Sequence, residues 1–345
     1  MHFAWQIRAN WVLALVFLGV SASGAAAQTA FPESEPNNTK AEADLITFTT
    51  IGDSVTGLST GTGTTAGDQS PTTVDMFLIT FPTATLGIYR NQLIISSLTE
   101  GHTGTIRGLT QTGGTINPGT NSAPQTSTAA TGRLNQWYSF GKGEQLFYQV
   151  AGVAATTENY NATWVRTPIT PVNLGTFVDG TITITTLGQG HTTDTDMWVY
   201  DANFDAIPGY GNDDTLGPPT SFQSTLTRTY APGTYYVAIS NFNLANDQAS
   251  PADDNFRSGT VLDFPGAVLN GSTTAGLNLS FAITDANGTV QFGALKPEAF
   301  DIFWGQFTVA AIPEPSTLIL GGLGFGTVIA AVQRRRARRR VRRKA

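Results

Sequence analysis

The residues in this chain that could do chemistry are acidic and crowded. Asp194, Asp196, Asp201, Asp205, Asn212, Asp213 and Asp214 fall in one short stretch, and Gly209 and Gly211 let the backbone turn tightly among them. Hard oxygen ligands at this density suit Ca²⁺, which takes about six to eight of them. The same residue types also bond their own backbone in Asx turns with no metal, and the spacing is not that of an EF-hand. Both readings stay open. A further group, Asp247, Asp253, Asp254 and Asn255, follows, and Glu33-Ser34-Glu35-Pro36-Asn37-Asn38 forms a separate acidic segment.

Enzyme signatures are thin. Beyond His2 there are only His102 and His191, too few for a histidine-rich zinc site or a His-Glu-x-x-His helix. His191 reads as a hydrogen-bonded loop histidine. Gly57-Leu58-Ser59-Thr60-Gly61 formally matches the nucleophile elbow but stands in a Gly/Thr run with no helix after it. Two carboxylates for glycoside hydrolysis are recognised only by their separation in space. The expectation is a protein without catalytic residues or organic cofactor, with a polysaccharide hydrolase as the remote alternative.

The elements that must position these groups begin after an export signal. Arg8, the apolar run Trp11 to Val20 and the small residues Ala25-Ala26-Ala27 read as a signal peptide over 1–27, with Ala25 and Ala27 at the cleavage site. At the other end stand Pro313-Glu314-Pro315, seventeen uncharged residues from Ser316 to Val332, and a block that includes Arg334, Arg335 and Arg336. Such a segment is about 25 Å long as a helix, at the short end of a bilayer span. The arginines hold its end in the cytoplasm and leave the body outside. Without the two ends, nine basic residues face 24 acidic ones, about −15 rather than the −6 of the whole chain. Such a body is a poor partner for nucleic acid.

There is no cysteine, so an exported chain that could use disulfides does not. Abundant Gly and Phe, strand-like runs and the near absence of helical periodicity give an all-β expectation. Strands are expected over 76–81, 91–98, 145–150, 162–166, 180–186, 196–200, 226–230, 233–240, 277–283 and 300–309, with a long Gly/Thr-rich loop near 101–132. Two prolines, Pro168 and Pro171, mark a boundary between units at 28–167 and 168–311. An internal echo supports two units: Thr73 to Ile79 is similar to Thr193 to Val199, and Gln145 to Val150 to Gly233 to Ala238. A single elaborated sandwich or barrel is the competing layout. Trp137, Tyr138, Trp164, Trp198, Tyr210 and Trp304 are the aromatics that could stack on sugars, though aromatics on alternating strands mostly pack inward.

Two resemblances follow. Pro313-Glu314-Pro315, the apolar segment and the Arg block, spanning 312–345, together resemble the PEP-CTERM sorting signal of bacterial surface proteins. That implies processing by a membrane-embedded exosortase, transient anchoring by a C-terminal transmembrane helix over 316–332, and a destination at the cell surface or outside. Families with this signal are associated with exopolysaccharide and biofilm. Glu33-Ser34-Glu35-Pro36-Asn37, with Ala41 and Ala43, resembles the start of the pre-peptidase C-terminal (PPC) domain, a jelly-roll-like β-sandwich. The region from Asp194 through Gly233-Thr234-Tyr235-Tyr236 is similar to a second copy. Calcium-binding relatives imply ligands at Glu33, Glu35, Asn37 and Asp75, and by extension at Asp194, Asp196, Asp213 and Asp214; Thr73 departs from the Asp that is common there. The resulting expectation is a structural or adhesive surface protein that meets exopolysaccharide or matrix proteins. A carbohydrate-binding module is the alternative.

Overall fold

The computed structural model describes residues 27–311 except 61–73, 97–100, 110, 113–114, 117–126, 128–131, 153–156, 216–220, 243, 249–250, 252 and 254–264. The described residues are all-β, and they contain no helix long and apolar enough to cross a membrane. The expected signal peptide, apart from Ala27, and the expected span over 316–332 lie outside them.

The strands build four main sheets. A seven-stranded sheet runs β1 (Ala30–Pro32), β3 (Ser54–Gly57), β11 (Tyr160–Ile169), β5 (Ile88–Ile95), β9 (Leu134–Ser139), β19 (Ala267–Asn270) and β18 (Leu244–Ala245). A four-stranded sheet runs β2 (Asp44–Thr47), β4 (Asp75–Thr80), β10 (Gln145–Ala151) and β6 (Thr103–Arg107). In the second half a five-stranded sheet runs β12 (Val172–Val178), β24 (Phe303–Ala310), β17 (Gly233–Asn241), β14 (Thr195–Tyr200) and β15 (Ala206–Asn212). The last runs β16 (Thr225–Tyr230), β13 (Gly180–Thr185), β21 (Phe281–Asp285) and β22 (Gly288–Phe292). Two short pairs join β7 (Gln111–Thr112) to β8 (Thr115–Ile116) and β20 (Leu277–Asn278) to β23 (Leu295–Lys296).

Three apolar cores explain how these sheets stack. The first two sheets share Val55, Leu93, Trp137 and Trp164 on one side and Phe77, Ile79, Tyr148 and Val150 on the other. The last two share Met197, Val199, Val237, Ile239 and Phe307 with Ile182, Ile184, Leu226 and Phe281. The third core joins Ile88, Tyr138, Phe140 and Val268 to Trp198, Tyr200, Ala238 and Trp304. Alternation along the strands makes this possible, because successive side chains point to opposite faces. On β14, Met197 and Val199 enter one core while Trp198 and Tyr200 enter another, and the whole strand is buried. The seven- and five-stranded sheets are therefore covered on both faces, and each fully buried large apolar side chain contributes about 1.5–3 kcal/mol.

Polar contacts fasten the same junction. Asp301 Oδ1 accepts hydrogen bonds from Gln136 Nε2 at 3.0 Å and the Tyr138 hydroxyl at 3.4 Å, with Arg90 Nη1 at 3.6 Å. Lys142 Nζ reaches Asp205 Oδ1 at 2.5 Å. The halves also exchange chain, since β18 and β19 lie beyond residue 168 yet extend the sheet of the first half through β9, pairing Val268 with Tyr138.

Each of the ten expected strands overlaps an observed one; 277–283 divides between β20 and β21, and residues 97–98 lie outside the described residues. The stretch 101–132 differs from the expected loop, because Thr103–Arg107 is β6, paired with β10 and largely buried. The apolar alternation is missing for a packing reason: a Cβ on Gly104 would lie 2.0 Å from the Tyr148 hydroxyl. Of the aromatics that could stack on sugars, Trp137, Tyr138, Trp164, Trp198 and Trp304 are buried.

Candidate functional site

Two carboxylate triads form in the fold. In the first, the Met76 N–H at the start of β4 donates to the Asn37 carbonyl at 2.8 Å, bringing the segment 33–38 onto Asp75. Glu33 is fixed by its backbone N–H, which donates to the Thr56 carbonyl, and by its Oε1, which accepts the Leu58 N–H at 2.7 Å. Glu35 Oε2 accepts the Asn37 N–H and Asn38 Nδ2, both at 3.2 Å. Carboxylate oxygens of Glu33, Glu35 and Asp75 then lie within 4.8 Å of one another.

The electrostatics of this triad are unfavourable as it stands. Asp75 and Asn37 are wholly buried. Both Asp75 carboxylate oxygens, Glu33 Oε2 and Asn37 Oδ1 are sealed from solvent and accept no aligned hydrogen bond. The Tyr160 hydroxyl comes beside Asp75 without that alignment. Burial first and the neighbouring Glu33 second push Asp75 up to about 9. Burial and the Asp75 charge raise the Tyr160 hydroxyl well above its usual range. An isolated buried carboxylate is expensive, and like charges add to that. Gly57 is needed for this approach, since a Cβ there would lie 2.6 Å from both the Glu33 carboxyl and the Tyr160 hydroxyl.

The second triad sits at the end of β14. Antiparallel pairing of Met197 with Asn212 brings Asp194, just before β14, beside Asp213 and Asp214, just after β15. Their carboxylate oxygens also lie within 4.8 Å of one another, and Asp213 and Asp214 are buried. Burial, then Asp196 and Asp214, push Asp194 up to about 6. Asn212 organises the turn, its Oδ1 accepting the Thr225 N–H at 2.7 Å.

The remaining acidic candidates are placed elsewhere. Asp196 faces the crossing segment, where its Oδ2 accepts the Leu244 N–H at 2.6 Å. Asp201 caps its own turn, accepting the Asn203 and Asp205 N–H groups at 2.8 and 3.0 Å. Asp253 forms a two-pronged pair with Arg228, both contacts at 2.8 Å. His191 is a hydrogen-bonded loop residue, with Nε2 2.9 Å from the Ser280 carbonyl. Asp44 escaped the sequence reading: its Oδ2 accepts the Ser34 N–H at 2.9 Å and Asn37 Nδ2 at 3.1 Å, orienting the segment that carries the first triad. Only its place shortly after the Glu-Pro-Asn stretch signalled this.

Both triads offer oxygen ligands alone, the donor set of a hard divalent cation. The first fits such an ion best, because a cation there would satisfy buried carboxylate oxygens that accept no aligned hydrogen bond.

Pro313, Glu314, Pro315, Arg334, Arg335, Arg336 and Ala25 lie outside the described residues, while Ala27 is exposed at their start. No curated protein matches the chain. A family model described as the PEP-CTERM protein-sorting motif matches residues 311–340, so the chain carries the sorting motif of an exported protein that an exosortase processes at the membrane.

Proposed function

We propose that this chain is a non-catalytic cell-surface or extracellular-matrix protein, structural or adhesive, built of two PPC-like β-sandwich units over 28–167 and 168–311. In this reading its acidic triads hold Ca²⁺ once the body has left the cytoplasm. One observation carries the cation reading: Glu33, Glu35 and Asp75 converge within 4.8 Å, and Glu33 Oε2 and both Asp75 oxygens are buried there without an aligned hydrogen bond. Glu33, Glu35, Asn37 and Asp75 would hold one ion, and Asp194, Asp213 and Asp214 a second. The ion supplies charge neutralisation and cross-linking of segments, with no bond made or broken. The division into two units is supported by the two within-pair cores, with the β18–β19 segment as an exchange between them. Burial of the four tryptophans among the described residues weighs against a sugar-stacking module.

The test is thermal unfolding of the exported protein with chelator and with millimolar Ca²⁺. A ligand that binds the native state raises Tm as its concentration rises above Kd. Binding at 100 times Kd corresponds to about 2.7 kcal/mol. Identical melting curves in chelator and in Ca²⁺ would sink the cation reading. An adhesive role is tested apart from it, by retention of the exported protein on isolated matrix polysaccharide.

A further inference from the structure

Lys296 ends β23 and is wholly buried. Its Nζ lies 2.9 Å from Oδ1 of Asn241 at the end of β17, 3.4 Å from Oδ1 of Asn270 at the end of β19, and 2.8 Å from the Ser272 carbonyl. The Asn241 carboxamide is held in place, because its Nδ2 donates to the Phe242 carbonyl and to Ser272 Oγ, each at 2.9 Å. Its Oδ1 therefore faces the amine.

Burial pulls the Lys296 ammonium down to about 8, opposed by the Asp301 charge. Near neutral pH a useful share is then the free amine, the nucleophilic form. The chain is exported yet has no cysteine, so no disulfide can cross-link it.

We propose that Lys296 and Asn241 condense into an intramolecular isopeptide bond that ties β17 to β23. The Nζ lone pair of the free amine forms a bond to Asn241 Cγ, and the Cγ–Nδ2 bond breaks. The departing nitrogen takes one proton from Nζ and leaves as ammonia, and the new amide is neutral. No oxidant, metal or cofactor enters the balance. Holding the two groups in contact replaces a bimolecular encounter with an intramolecular one, the advantage that amine attack on a carboxamide needs. The closed loop contains β18 and β19, so the bond would lock the crossing strands into place.

Peptide mapping by mass spectrometry of the full-length exported protein tests this. The expected result is a branched peptide joining Lys296 to Asn241, lighter by one ammonia than its two parts, and absent from a Lys296→Arg variant. Separate, unmodified peptides for Lys296 and Asn241 overturn the proposal. So does a branch at Asn270, or an ammonia loss at Asn241 with no branch, as a succinimide would give. The wild-type map alone decides the matter, so the proposal does not depend on the variant folding.

Discussion

Asp75 and Asp196 stand at echoing places, near the start of β4 and β14, and both are wholly buried, yet only Asp196 has a backbone donor. Asp196 Oδ2 takes the Leu244 N–H at 2.6 Å, while Asp75 faces Glu33 and Glu35 with no aligned donor. Replacing them should therefore have opposite effects. Asp75→Asn replaces a carboxyl that the fold must hold protonated with a neutral amide, and near neutral pH it should raise Tm in chelator while abolishing most of the Ca²⁺ response. Asp196→Ala leaves a buried N–H without its acceptor and should cost about 1–3 kcal/mol, with the Ca²⁺ response retained. Urea titrations of both variants, with and without Ca²⁺, distinguish them; equal losses in both would refute the assignment.

The pH dependence has a definite sign. Asp75 is held protonated up to about 9 in the fold, whereas an unfolded chain ionises Asp near 3.9, about the usual value. Between these values the unfolded state has lost a proton that the folded state keeps, so stability falls as pH rises through the window. Asp194, raised to about 6, acts in the same direction over its lower part. Melting in chelator should drop from about pH 4 to 9, and the gain from Ca²⁺ should grow over the same range. A Tm in chelator that climbs across that window contradicts the burial of an uncompensated Asp75.

Glu144 and Arg166 form a buried ion pair, Oε2 to Nη2 at 3.7 Å, and Glu144 Oε1 also accepts the Phe140 and Lys142 N–H groups at 3.0 Å. Removing the acid strands a buried guanidinium that lies over the Trp164 ring. Glu144→Leu should destabilise by about 3–5 kcal/mol. Equilibrium unfolding is the measurement, and a loss under about 1 kcal/mol would show the pair to be dispensable.

Trp304 packs against Tyr138 and Phe140 across the junction and against Tyr200 on its own side. Trp304→Ala should cost about 3–5 kcal/mol. If the third core couples the two pairs of sheets, the variant should also split one calorimetric transition into two. A single transition with full coupling in the variant would assign the junction to the polar contacts of Asp301.

The sorting motif makes a cellular prediction. Glu314→Ala should leave a species that retains its C-terminal segment in the membrane fraction, visible as a mass increase over the released form. Normal release of the variant would show that the acid is not read.

Much of the fold was legible because its central strands carry β-branched and aromatic residues. Gln145–Ala151 and Gly233–Asn241 announced themselves in this way, and so did the echo, since β4 pairs with β10 as β14 pairs with β17. What stayed hidden was built from other signals. Gly104 in β6 has no side chain to show its burial, and β18 is only Leu244–Ala245. The crossing of β19 into the first half depends on Val268 meeting Tyr138, which no local pattern encodes. At the first site, carboxylate oxygens of the motif residues Glu33, Glu35 and Asp75 lie within 4.8 Å of one another. Asp44 and Gly57 act through contacts that appear only when β2 and β3 are in place.

The position of β24 has a mechanical consequence. Its hydrogen bonds run to β17 on one side and to β12, in parallel, on the other, and the sorting motif begins directly after it. While the tail is still in the membrane, any drag on the body reaches the fold at Ala310. The pull is directed along an interior strand. Both ladders are then loaded in shear, with many bonds sharing the force, instead of opening one by one as an edge strand would. Resistance of this kind is set by the unfolding rate rather than by equilibrium stability. The body is thus attached to its anchor through a strand that cannot be peeled away without sliding past two neighbours at once.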